Sequence, residues 1–143
     1  MRGYLVDTNV LSELRKPAPS ENVFGWFAAI SPELLFVSVL TLAELSRGAE
    51  LLRRKDARSA IALDHWIAEV RLNFAERILS VDHEVAECWA RLSPQQPLPV
   101  IDGLLAATAS VHDLTVVTRN AGDFERSGVR VLNPFDLWSS VDT

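Results

Sequence analysis

At 143 residues, with 48% hydrophobic and 23% charged side chains, the chain can bury roughly 68% of the surface its unfolded form exposes, and it is too apolar to stay disordered. Its net charge of −5, from 14 Lys and Arg against 19 Asp and Glu, argues against a broad non-specific nucleic-acid surface, since such surfaces are usually basic. No apolar run approaches the ~20 residues of a membrane span and no secretory signal opens the chain, so the expectation is a single domain over 1–143, cytoplasmic and without membrane contact.

The chain opens on YLVDTNVLSE, residues 4–13, where a short apolar strand runs directly into Asp7, Thr8 and Asn9. In chain order, apolar periodicity then predicts helices at 10–15 and 21–29, a strand at 35–39, helices at 42–54 and 57–77, and a strand at 78–81. Helices at 83–92 and 101–112 follow, separated by the Pro-rich loop SPQQPLP at 93–99, and strands at 115–118 and 129–132 close the pattern. Alternating strands and helices favour a three-layer α/β/α domain on a mostly parallel sheet of about five strands. The continuous runs LLFVSV and LTVV suit strands covered on both faces.

Several polar features read as structure. Cys88 shares helical spacing with Val85, Trp89 and Leu92 and reads as core, as does Trp66; Trp26 and Trp138 stay open. The histidines His65, His83 and His112 form no i, i+4 pair and have no cysteine company, which disfavours zinc, so any metal must be held by oxygen. The run Arg53, Arg54, Lys55 and Arg58 reads as a solvated helix end.

Four acids remain. Ligands of parallel α/β sheets bind outside the carboxyl ends of the strands, and Asp7 follows the first strand immediately. Glu44 lies early in the helix fed by the second strand, Asp102 at the start of the helix leading into TVVT, and Asp123 shortly after that strand. Each has a local alternative: Asp7 as a helix cap, Thr41 and Glu44 as a capping box, Asp102 as a cap of GLLAATASV, Asp123 as part of a turn in AGDF. Four unrelated caps have no reason to gather at one sheet edge, whereas a divalent cation requires several oxygens in one place. Neutralising four carboxylates there would leave the rest of the chain at −1.

DTNVLSE at 7–13, the TLAEL helix carrying Glu44, the VIDGLLAATA helix carrying Asp102, and TRNAGDF at 118–124 together resemble PIN-domain ribonucleases, specifically VapC toxins of the FitB-like branch. The resemblance spans nearly the whole chain with the motifs in the family's order. It implies a metal-dependent endoribonuclease, usually a homodimer, encoded with a VapB-type antitoxin that blocks it and through which alone DNA is met. It also implies metal ligation by Asp7, Glu44, Asp102 and Asp123, with Thr118, Asn120 and Asn9 as supporting polar groups.

Phosphodiester hydrolysis needs an activated water, a stabilised anionic transition state and a neutralised leaving oxygen, and carboxylates without His or Cys suit Mg²⁺, with Mn²⁺ as its substitute. Arg119 lies where it can meet a substrate phosphate, but continued strand alternation would turn it away, and the structural reading is slightly preferred. Rival readings meet specific obstacles. A receiver domain needs a late Lys, and none follows Lys55; a haloacid-dehalogenase-like phosphatase needs an acid where Asn9 stands; a dinucleotide site needs a Gly-rich turn where the chain has DTNV. The remaining alternative is a catalytically inactive PIN-like module that binds RNA or protein.

Overall fold

The computed structural model describes residues 2–92 and 97–136. β1 (Tyr4–Val6) leads through α1 (Thr8–Arg15), α2 (Glu21–Ala29) and a 3-10 turn at Pro32–Leu34 to β2 (Leu35–Ser38). α3 (Val39–Arg53) and α4 (Ala57–Asn73) connect to β3 (Ile78–Leu79), and α5 (His83–Arg91) and α6 (Val100–Val111) to β4 (Thr115–Val117). α7 (Ala121–Glu125) precedes β5 (Val131–Leu132). The sheet order is β3-β2-β1-β4-β5 and every described pairing is parallel, so the expected sheet is the observed one.

The strands alternate between two cores with the period of two that a pleat imposes. Val6, Leu35, Val37 and Val117 face a core built by α1 to α4, where Val10, Leu11, Val23, Trp26, Leu45 and Ile67 are buried. Their neighbours Leu5 and Val116 face a second core, closed by Leu105, Ala106 and Ala109 of α6 and by Phe124 of α7. Crossovers that move toward β3 therefore cover one face, and those that move toward β5 cover the other, as right-handed parallel connections require.

Several boundaries depart from the pattern. α3 begins directly after β2 because the buried Ser38 hydroxyl accepts the Leu40 N–H at 3.0 Å. Thr41 is consequently inside the helix, buried, with no hydrogen-bond partner for its hydroxyl among the described residues, so the capping box with Glu44 does not form. α4 ends at Asn73, four residues early. Arg77 turns back there and donates to the carbonyls of Asn73, Pro32 and Leu35 at 2.6 Å, tying the end of α4 to the start of β2. Residues 121–125 form a short helix, in place of the turn that was the local alternative for Asp123.

Trp89 is 41% exposed rather than core, and Cys88 is half-buried. Trp89 instead lies against α6: a Cβ at Gly103 would stand 2.9 Å from its indole nitrogen, so the missing side chain lets the two helices close. Within the cationic run, Arg53 pairs with Asp64 at 3.0 Å while Arg54, Lys55 and Arg58 are solvated. Residues 93–96 of the Pro-rich loop and Trp138 lie outside the described residues.

Candidate functional site

The first connections build the sheet outward on one side of β1 and the later ones on the other, so the order reverses between β1 and β4. A crevice opens at such a switch point, outside the carboxyl ends of the two strands. Asp7 follows β1 and Thr118 follows β4 at that edge, and the Asp7 N–H donates to the Val117 carbonyl at 2.9 Å, extending the ladder by one bond. α3 leaves β2 at the same edge, carrying Glu44 into its second turn. α6 returns antiparallel to β4, which brings its first turn, with Asp102, to this edge as well.

Asp7 is 6% exposed. Its Oδ1 accepts the Thr8 N–H at 2.7 Å, and its Oδ2 accepts the Thr118 hydroxyl at 2.8 Å and the Asn9 amide at 3.4 Å. Asp7 thus caps α1 and closes a polar network at once, so its capping and site readings coexist. Asn9 also donates to Thr118 Oγ1 at 3.3 Å and accepts the Arg119 N–H at 3.1 Å. Asn120 enters through its backbone, whose N–H donates to Thr118 Oγ1 at 3.1 Å.

Thr8 was not singled out from sequence, yet its hydroxyl donates to Glu44 Oε1 at 2.7 Å and links β1's end to α3. Hydrogen bonds to a charged acceptor contribute ~1.5–3 kcal/mol each, enough to fix these carboxylates in direction. The links join residues 36 and 111 positions apart, which no local sequence pattern reports.

The electrostatics single out the same residues. Burial pushes the Asp7 carboxyl above its usual range, and the hydrogen bonds from Thr118 and Thr8 only partly oppose it. Asp102 is also raised, first by burial and then by repulsion from Asp7, Glu44 and Asp123. Asp102 makes no side-chain cap, contrary to its local alternative.

The four acids therefore share one field, although among the described residues no three carboxylates or imidazoles stand together at metal-ligand spacing. Asp7 and Glu44 are instead turned toward the hydroxyls of Thr118 and Thr8, and the exposed Asp123, in the first turn of α7, pairs with Arg126 at 3.0 Å. The donor set fits a hard divalent cation: it is all oxygen, it is uncompensated at Asp102, and it carries like charges that such an ion would relieve.

Glu13 and Arg119 form a second polar cluster; Arg119 stood out in the sequence, but its meeting with Glu13, more than a hundred residues away, did not. Glu13 is 6% exposed, accepts Lys16 Nζ and the Ser20 N–H at 2.9 Å each, and lies 3.7 Å from the Arg119 guanidinium. Lys16 first, then the Ser20 N–H, hold its carboxyl below the usual range. β4 ends at Val117, so strand alternation does not reach Arg119, whose guanidinium instead lies 3.7 Å from the centroid of the Phe135 ring.

Comparison with known proteins follows the same residues. The family described as "PIN domain" matches residues 4–129. Toxin FitB of Neisseria gonorrhoeae is 36% identical over 138 residues, covering 92% of this chain and 97% of that protein. VapC ribonuclease Y4jK of Sinorhizobium fredii is 34% identical over 137 residues, 92% of this chain and 97% of its own. Among solved structures, FitAB bound to an IR36 DNA fragment contains a chain that superposes with a TM-score of 0.87 at 34% identity, over 96% of this chain and 99% of that one.

Proposed function

The chain belongs to the PIN-domain family, and from that premise we propose that it is an endoribonuclease toxin of a toxin–antitoxin pair. The observation that carries the reading is the placement of Asp7, held by Thr118 and Thr8, and of Glu44, held by Thr8, at the switch point of the sheet where Asp102 lies in the first turn of α6, which is the place and the donor chemistry that phosphodiester hydrolysis needs. The ribonuclease and toxin named among the relatives above support the activity.

Asp7, Glu44 and Asp102 would hold Mg²⁺, or Mn²⁺ in its place, with Asp123 completing the set. Such an ion, when bound, supplies charge neutralisation for the anionic transition state and acidifies water. The chain's own groups prepare the place. Asp7 stands at a rigid strand end, Thr118 and Asn9 fix its Oδ2, and Thr8 aims Glu44. A polyanionic substrate meets carboxylates that repel it until a cation neutralises them, so nuclease activity should be absolutely cation-dependent.

The wider reading takes residues 1–143 as one PIN domain acting in the cytoplasm; no helix among the described residues is long and apolar enough to cross a membrane. It gives the protein a VapB-type antitoxin through which it meets DNA, and a homodimeric state. The exposed Leu51 and Leu72, on α3 and α4, offer apolar surface for that association.

The test is incubation of the purified protein with a panel of structured RNAs, with Mg²⁺, with Mn²⁺ and with chelator. Cleavage is expected only with the cations. Asp7→Asn, which keeps the shape and removes the charge, should reduce it by at least about a hundredfold. Undiminished cleavage by Asp7→Asn, or indifference to chelator, would overturn the mechanism. Co-expression with the product of the adjacent gene should suppress cleavage, and light scattering of the free protein should exceed the 15.9 kDa of one chain.

A further inference from the structure

We propose that Arg119 is a substrate-binding residue that takes an RNA phosphate beside the scissile one, its guanidinium held in place by Phe135 and Glu13. The inference rests on the ribonuclease reading above. Three observations carry it.

The first is position. Arg119 follows Thr118, whose hydroxyl holds Asp7, and the Arg119 N–H is bound by the same Asn9 that donates to Asp7 and Thr118. Its carbonyl accepts the Asn133 amide at 3.3 Å, so its backbone is fixed on both sides, next to the residue that holds Asp7.

The second is presentation. The guanidinium lies over the Phe135 ring at 3.7 Å, which occupies its face and leaves its N–H edge outward, and its side chain is 54% exposed. Phe135 is itself fixed, packed against the core of α1 to α4 with its carbonyl accepting the Asn22 amide at 2.8 Å. Planar, face-stacked arginine is suited to bidentate capture of phosphate, because its donors are already ordered.

The third is charge. Glu13 is already satisfied by Lys16 and the Ser20 N–H, and its contact with Arg119 at 3.7 Å is too long for a hydrogen bond. Glu13 therefore orients Arg119 without consuming its donors; among the described residues no side-chain hydrogen bond from Arg119 is formed. A cation at the sheet edge where four like-charged acids gather offsets part of the repulsion that a polyanion meets on approach. An acidic segment of a partner protein would find the same charge, but the direct backbone linkage of Arg119 to the cleavage site favours RNA.

The experiment measures binding apart from cleavage. A fluorescein-labelled single-stranded RNA of mixed sequence is titrated with the Asp7→Asn protein and with the Asp7→Asn, Arg119→Gln double variant, by anisotropy at several salt concentrations. The double variant should bind about tenfold more weakly, with the slope of log affinity against log salt reduced by about 0.7, the value for one phosphate on a single strand. Arg119→Lys should restore the slope but not the full affinity, since a lysine keeps the charge and loses the fork. With Asp7 intact, Arg119→Gln should raise KM while kcat stays within about threefold.

An unchanged slope and KM would overturn the proposal, as would loss of thermal stability and kcat in both Arg119 variants with the slope preserved, which is the mark of a strut. Failure of the parent to cleave any RNA, with the slope change still present, would sink the nuclease reading and leave the phosphate contact standing.

Discussion

Asp7 caps α1 and Glu13 lies in its last turn, each 6% exposed, and the fold treats their charges in opposite ways. Glu13 receives Lys16, the Ser20 N–H and the field of Arg119, all from this chain, and its carboxyl is held below the usual range. Asp7 receives hydroxyl, amide and backbone N–H donors but, among the described residues, no cation, and burial drives its carboxyl above that range. The difference separates two uses of a buried acid. One is neutralised by the fold and serves as a strut; the other is oriented by the fold and left for a cation from outside. Sequence marks Asp7 by its place at a strand end and gives Glu13 a lysine three residues on, but it does not show that Glu13 is buried or that Arg119 meets it.

The strongest test of that contrast is thermal. A cation that binds only the native state stabilises it by ~2.7 kcal/mol at a hundredfold excess over its dissociation constant, so Mn²⁺ should raise the melting temperature of the parent by several degrees. Asp7→Asn should abolish the rise, whereas Glu13→Gln should lower the baseline and keep the rise intact. If Glu13→Gln also loses the response, the two acids belong to one site and the contrast collapses.

A smaller effect, opposite in sign for the two clusters, is expected from pH in the metal-free protein. Glu13 titrates in the folded state below its unfolded value, so it contributes stability that is present above the unfolded value and lost as pH falls through the folded one. Glu13→Gln should therefore be destabilising at pH 7 and nearly neutral in strong acid. Asp102 titrates above its unfolded value of 3.8, so its charge costs stability at neutral pH and the cost disappears as pH falls through the folded value to below 3.8. Asp102→Asn should stabilise at pH 7 and lose that advantage on acidification. Urea midpoints across pH 3–7 measure both; parallel curves for the two variants would contradict the assignment.

The smallest effect sharpens Asp7 alone. Thr118→Val removes the hydroxyl 2.8 Å from Oδ2 and should weaken Mn²⁺ affinity by about 10–100-fold, while Thr118→Ser retains it. Equal affinity in the valine variant would make the hydroxyl incidental to the site.

Much of this was legible because strands and helices carry their own periods. The five strands, the parallel sheet and the strand-end position of Asp7 follow from apolar runs and the topology they force. What escaped was decided by contacts between distant segments or by single caps. Ser38 starts α3 inside what reads as one apolar strand, LFVSV, because a hydroxyl replaces a loop there. Thr8 reaches Glu44 across 36 residues, and Glu13 meets Arg119 across more than a hundred, so neither pair leaves a local signal. Trp89 reads as core on helical spacing but is exposed at the edge of the α5–α6 packing, where Gly103 lies against the indole.

The placement of β1 between β2 and β4 has a consequence in time. The strand that leads into Asp7 pairs on one side with a strand some thirty residues later, and on the other with Thr115–Val117, more than a hundred residues later. Such non-local pairing is slow to form, because loop closure is paid before the contact rewards it. A nascent chain still lacking β4 holds Asp7, Glu44 and Asp102 in its sequence but has neither Thr118 to seat the first nor a second wall to the crevice. A working site would then form only once β4 and Thr118 have been made, and a truncation anywhere before Thr118 should yield an inert fragment.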